Sequence, residues 1–159
     1  MRVGHGYDAH RIIPGEGLVL GGVSIKCNFS LQAYSDGDLI IHSLIDALLG
    51  AANYGDIGKL FPSKDKKFKD ISSRDLLKKV SNKLRLNGYE VQNIDISFVG
   101  EEPKLQPYIR QICNNISEDL ETDLDRISCK ATTTDRLGFT GRKKGLACYS
   151  VVLIAKKWD

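Results

Sequence analysis

The stretch LIIHSLIDALLGAA, positions 39–52, constrains the fold more than any other. Its Leu39, Ile40, Leu44, Ala47, Leu48 and Ala51 recur at helical spacing, so the segment reads as a helix that must bury an apolar face. Ser35 or Asp36 is the expected N-cap, with Asp38 in the first turn, where a carboxylate suits the helix dipole. Such a helix needs a sheet to lie on, and the rest of the chain offers one. Residues 2–8 and 18–25 read as strands, with Gly21 and Gly22 marking a bulge or tight turn. VQNIDISFVG, ISCKATTT and ACYSVVLIA supply three more.

Two further helices are expected. One covers about 73–87, with Gly88 at its C-terminal cap, and one runs through PKLQPYIRQICNNISEDL, begun near Pro103 to Pro107. NYGDIGKLFPSKD, residues 53–65, reads as a long loop. The order β-β-α-α-β-α-β-β predicts an α/β (α+β) fold, a single-layer mixed sheet with helices on one face. The other sheet face then needs a partner, which a homo-oligomer would supply. All 159 residues read as one domain, without repeat or linker.

Composition removes several classes of function. A net charge of +3 without a long Lys/Arg stripe argues against nucleic acid. The Lys64, Lys66, Lys67, Lys69 run reads as a solvated loop. No apolar run reaches the ~18 residues of a membrane span. Cys27, Cys113, Cys129 and Cys148 lie far apart with no C-x-x-C, so four reduced, mostly buried thiols are expected. With no signal or transit peptide pattern, the expected setting is the bacterial cytoplasm, or a plastid stroma for a mature form.

The chemistry gathers around histidine, of which there are only His5, His10 and His42. In YDAH, Asp8 and His10 are two apart and leave the same face of a strand. Asp38, His42 and Asp46 are spaced by four and share one helix face. Two imidazoles and a carboxylate suit zinc with an open fourth position. D-x-H alone is a weak motif, and a lone helical His is more often structural. GDIGKLFP and TTTDRLGFTGR combine backbone N–H groups, hydroxyls and a cation, which suits phosphate oxygens, although ordinary turns have the same composition. No G-x-S-x-G and no Ser-His-Asp or Cys-His set stands out.

Taken together, GHGYDAH, SDGD-x3-H, DALLGAANYGDIGKLFP, the PK of residues 103–104 and KATTTDRLGFTGRKKG are specific. In these runs, over essentially the whole chain, the sequence resembles the 2-C-methyl-D-erythritol 2,4-cyclodiphosphate synthase family. The resemblance implies a homotrimer with active sites at subunit interfaces, which would cover the bare sheet face. It implies conversion of 4-diphosphocytidyl-2-C-methyl-D-erythritol 2-phosphate to the cyclodiphosphate and CMP, in the non-mevalonate isoprenoid pathway. Asp8, His10 and His42 match the family's zinc ligands, and Asp135 its magnesium (or manganese) ligand. Asp46 is a candidate to orient His42, or else a helix-surface residue. Tyr34 and Thr133 stand at the catalytic positions. Asp56, Ile57 and Gly58 would meet the methylerythritol part, Ser35 is a further substrate-binding candidate, and Phe61, Pro62, Ser63, Lys64 and Asp65 form a mobile substrate loop. Gly100 to Gln106, including Pro103, Lys104 and Leu105, would hold the cytidine and its phosphates from the neighbouring subunit, together with Ala131, Thr132, Thr133 and Thr134. Phe139 and Arg142 would close the pocket. The resemblance also implies Asp8, His10 and Asp135 among the substrate-binding residues.

Four positions depart from the family pattern. Tyr34 replaces a His, Asp135 a Glu, Ser63 an Asp, and Gly100-Glu101-Glu102 the usual small and amide residues. Lys144 stands where the family often has an acid, near Arg142 and the expected trimer axis. Repulsion among these cations predicts a phosphate, sulfate or isoprenoid diphosphate there. Two other readings remain at this stage: a metal-dependent phosphohydrolase and a non-catalytic trimer that binds isoprenoid diphosphates.

Overall fold

Gly4 and Gly6 decide how the expected helix meets its sheet. In the computed structural model, which describes residues 1–157, they lie on β1 (Arg2–Pro14) beneath α1 (Leu39–Ala52). A Cβ at Gly4 would stand 1.9 Å from the Ala47 carbonyl oxygen, and one at Gly6 1.9 Å from that of Ser43. The helix backbone therefore rests on the strand backbone at a separation no other residue permits. Every residue of α1 is buried except His42, Asp46 and Gly50. The helix is sealed by the sheet on one side and by neighbouring elements on the other. Its one polar stripe, at four-residue spacing, looks outward.

β1 runs past residue 8 to Pro14. A hairpin follows, β2 (Gly17–Leu20) and β3 (Val23–Lys26), so of the two expectations for Gly21–Gly22 the tight turn holds and the bulge does not. Gly21 and Gly22 form its two-residue turn at φ +57° and +74°, values that demand glycine. The short β4 (Phe29–Leu31), which the sequence pattern does not announce, then pairs with the end of β1. The α1 N-cap is Asp38, not Ser35 or Asp36. Its buried carboxylate accepts from Gly21 N–H (2.9 Å), Gly22 N–H (2.7 Å) and Ile41 N–H (3.1 Å), so one side chain caps the helix and holds the hairpin turn.

The 53–72 segment contains α2 (Ile57–Leu60) and a single 3₁₀ turn at Lys66–Phe68. Beyond it come α3 (Ser73–Leu86), β5 (Tyr89–Val99), α4 (Ile109–Leu120), β6 (Ile127–Thr132), α5 (Gly138–Gly141) and β7 (Gly145–Lys156). α4 starts later than Pro103 to Pro107, because proline disfavours helix in the residue before it; a 3₁₀ turn, Gln106–Tyr108, fills the gap. The main sheet has the order β4-β1-β7-β5-β6, antiparallel except for the β5–β6 pair, whose parallel crossover α4 supplies. One face carries the helices over Ile94, Ile96, Phe98, Cys148, Val152 and Ile154. On the opposite face Val3, Tyr7, Tyr149 and Val151 are exposed. All four cysteines are free; Cys113 and Cys148 are buried, Cys27 and Cys129 partly so. Among the described residues no helix is long and apolar enough to cross a membrane.

Candidate metal centre and its cleft

β1 delivers Asp8 and His10 to the helix-covered face, and α1 delivers His42 from its polar stripe. Because Gly6 brings α1 onto the strand, the three side chains converge. Asp8 Oδ2 lies 3.0 Å from His10 Nε2 and 3.3 Å from His42 Nδ1. One ligand atom from each residue falls within 4.8 Å of the others. Asp8 Oδ2 and His10 Nε2 are buried yet have no aligned hydrogen-bond partner. Buried polar atoms are rarely left so. Two nitrogens and a carboxylate oxygen this close together are a donor set that suits zinc with an open fourth position. The cluster is electrostatically poised for a cation. Burial alone would raise the Asp8 carboxyl, but the His10 and His42 rings outweigh it and bring it down to about 2. Burial works against a charged His42; the adjoining Asp8 carboxylate, then the charges of Asp38 and Asp36, prevail and raise its pKa.

The far side of the His42 ring is held as well. Its Nε2 lies 2.8 Å from Ser73 Oγ at the start of α3, and Ser73 in turn bonds to Asp36. Of the two roles the spacing allows Asp46, orienting His42 or lying on the helix surface, the first falls to Ser73. Asp46 instead accepts from the Ile57 N–H (2.8 Å), tying α1 to the first residue of α2. The pairing of Ser73 with Asp36 is not readable from the sequence because the two are 37 residues apart in the chain. Only a serine at a predicted helix start, close to the SDGD run in space, would have signalled them.

A cleft of about 370 Å³ opens beside His42. Its walls include Tyr34, Ser35, Ile57, Gly58, Phe61, Pro62, Ser63 and Lys64, so most of the first group of expected substrate residues comes together here. Asp56 caps α2 by accepting from Lys59 N–H (2.8 Å), and Asp65 does the same for Lys67 N–H (3.1 Å). These two carboxylates shape the loop.

The second group lies elsewhere. Thr132 ends β6, three strands from His10 on β1, which is a lateral separation of about 14 Å. Gly100 joins this group by donating its N–H to the Thr132 carbonyl (3.0 Å). Ala131, Thr132 and Asp135 are exposed, and Thr133 Oγ1 sits 3.5 Å from Asp135 Oδ1. Thr134 spends its hydroxyl on the Leu137 carbonyl (2.6 Å) and on Thr140 Oγ1 (3.0 Å), so it braces the turn. Leu105 is buried in the core and packs there, while Pro103 is partly buried and Lys104 and Gln106 are exposed. Phe139 lies against Gly145, and Arg142 and Lys144 are exposed nearby. Within one copy of the chain, nothing brings this group to the Asp8 cluster.

Comparison with known proteins gives the chain's family and supports its fold. Residues 1–155 match the YgbB family. The chain is 50% identical over 157 residues to the 2-C-methyl-D-erythritol 2,4-cyclodiphosphate synthase of Aliivibrio fischeri, covering 98% of this chain and 99% of that protein. It is 52% identical, at the same coverage, to the protein of that name from Vibrio cholerae. The bifunctional IspDF of Campylobacter jejuni matches with a TM-score of 0.93 and 46% identity over 99% of this chain, which spans 42% of that longer protein. An IspF of Plasmodium falciparum in complex with CDP matches with a TM-score of 0.87 and 36% identity, over 99% of this chain and 97% of that one. The chain belongs to the YgbB family, that of the 2-C-methyl-D-erythritol 2,4-cyclodiphosphate synthases.

Proposed function

We propose that all 159 residues form one cyclodiphosphate synthase domain, which converts 4-diphosphocytidyl-2-C-methyl-D-erythritol 2-phosphate to 2-C-methyl-D-erythritol 2,4-cyclodiphosphate and CMP. The observation that carries the reading is the convergence of Asp8 Oδ2, His10 Nε2 and His42 Nδ1 at the edge of a cleft. A 2-phosphate oxygen of the substrate forms a new bond to the β-phosphorus. The bond from that phosphorus to the bridging oxygen breaks, and its electron pair leaves with CMP. The nucleophile is already anionic at neutral pH, which agrees with the lack of any serine or cysteine nucleophile set in the sequence. The barrier lies in aligning like charges, so holding both ends of one molecule supplies much of the rate.

Zinc on Asp8, His10 and His42, and magnesium (or manganese) on Asp135, would supply Lewis-acid polarisation of the β-phosphate and charge neutralisation at the leaving group. Tyr34 and Thr133 donate hydrogen bonds to phosphate oxygens. Ser35, Asp56, Ile57 and Gly58 hold the methylerythritol end, and residues 61–65 fold over it. Gly100 to Gln106 and Ala131 to Thr134 hold the cytidine end, with Thr134 bracing the turn and Phe139 and Arg142 closing the pocket. The CDP complex of the Plasmodium falciparum relative supports a cytidine ligand.

We place the two groups of residues on different copies of the chain, in a homotrimer. Two features support this: their ~14 Å separation within one copy, and the exposed Val3, Tyr7, Tyr149 and Val151 on the sheet face without helices. Arg142 and Lys144 would then stand near the axis and hold an anion, whether phosphate, sulfate or isoprenoid diphosphate; a well-resolved axis without one rejects that part. The bacterial relatives support a cytoplasmic setting.

Phosphorus NMR of the chain with the proposed substrate, zinc and magnesium tests the activity. CMP and a cyclic diphosphate are expected. Inorganic phosphate in place of CMP would indicate a hydrolase, and bound substrate without turnover a binding protein.

A further inference from the structure

We infer that Ser73 and Asp36 form a positioning relay that sets the proton on His42 so that its Nδ1 faces the cluster as a bare ligand. The inference rests on the metal reading above. His42 Nδ1 points at Asp8 Oδ2 (3.3 Å), whereas Nε2 points away, to Ser73 Oγ (2.8 Å). A neutral imidazole carries one proton, and the ring can ligate through Nδ1 only when that proton sits on Nε2.

Ser73 Oγ must therefore accept, and its surroundings make it do so. Asp36 takes both Ser73 donors: the hydroxyl hydrogen on Oδ1 and the backbone N–H on Oδ2 (2.8 Å). With its own hydrogen committed to a carboxylate, Ser73 Oγ has only lone pairs left for the ring. The other groups near Nε2 are farther off, Ser35 Oγ at 3.4 Å and Asp36 Oδ1 at 3.9 Å. The relay is also held in place. Ser73 is fully buried, and its neighbour Arg74 is clamped by the buried Asp119 through Nε (2.7 Å) and Nη2 (2.8 Å). α3 therefore presents Ser73 from a fixed position. A ligand imidazole whose second nitrogen donates to a fixed acceptor is oriented before the metal arrives.

Ser73→Ala and Asp36→Asn test the relay, with zinc dissociation constants measured by chelator competition and cobalt(II) absorption as a spectroscopic readout of site geometry. Ser73→Ala keeps the backbone N–H on Asp36, and Asp36→Asn keeps the shape of the side chain. Each is expected to weaken zinc binding by about 10–100-fold and to change the cobalt spectrum. Ser81→Ala, a buried serine on the same helix bonded to the Leu120 carbonyl, is the structural control and is expected to bind zinc as the wild type does. Wild-type affinity in Ser73→Ala overturns the relay; if that variant fails to fold, wild-type affinity in Asp36→Asn does so. A wild-type chain that binds no zinc overturns the metal reading itself, a result distinct from either.

Discussion

His42 carries more of the reading than any other residue. Replacing it with Ala is expected to abolish zinc binding, as read by metal analysis, and turnover with it, while far-UV circular dichroism stays native. Full zinc occupancy in that variant would remove His42 from the ligand set. Tyr34 is the most informative departure from the family pattern. It is exposed at the rim of the cleft, and its hydroxyl gives a neutral hydrogen bond where a histidine could give a charged one. Tyr34→Phe should lower kcat about tenfold, equivalent to about 1.4 kcal/mol, and Tyr34→His should match or exceed the wild type. Unchanged turnover and substrate affinity in the Phe variant would make Tyr34 only a wall. Asp135 is one methylene shorter than the family's glutamate, so Asp135→Glu should retain or improve activity at limiting magnesium. An inactive Glu variant beside a fully active Asp135→Ala would end its role as a ligand. At this scale the candidate ligands stood out as a D-x-H strand and a histidine on a helix, a weak signal by spacing alone that only the family resemblance gathered into one set. The roles of Asp36, Asp38 and Ser73 did not stand out. Each depends on which loop lies against the carboxylate or hydroxyl, and spacing along the chain does not encode that.

At the scale of elements, α1 was legible from its apolar repeat, and so was α3. What the repeat does not reveal is depth: that α1 is enclosed on nearly all sides follows from Gly4 and Gly6, which look like ordinary strand glycines until a helix is laid on them. Gly6→Ala should therefore do more than add a methyl group. The helix must lift from the strand, and overpacking of this kind costs about 1–3 kcal/mol. It should appear as a lower urea midpoint, together with weaker zinc binding, because Asp8 and His42 separate. A variant as stable as the wild type and with its zinc affinity would show that α1 can slide without penalty. The hairpin 17–26 was legible as the tight-turn alternative at Gly21–Gly22, whereas the three-residue β4 was missed, because so short a strand leaves little periodicity to read.

For the molecule as a whole, the test is whether one copy suffices. Light scattering should give three times the chain mass. Val151→Glu, on the sheet face without helices, should break that assembly and abolish turnover, yet leave zinc bound at about one ion per chain, because Asp8, His10 and His42 all come from one copy. Full activity in a monomer would refute the shared site. The sequence pattern pointed to a bare sheet face, since its helices suffice for one side only. It could not say which residues meet across it, because that surface has no periodic signature of its own. The sealed helix α1, with its single polar stripe, has a consequence for inhibitor design. The substrate loop, residues 61–65, is exposed or only partly buried, whereas His42 of the metal grip sits on the one polar stripe of an otherwise buried helix. A compound anchored on the metal and the His42 ring would present a resistant variant with a poor choice: a substitution that removes the His42 anchor also removes a zinc ligand, and turnover with it.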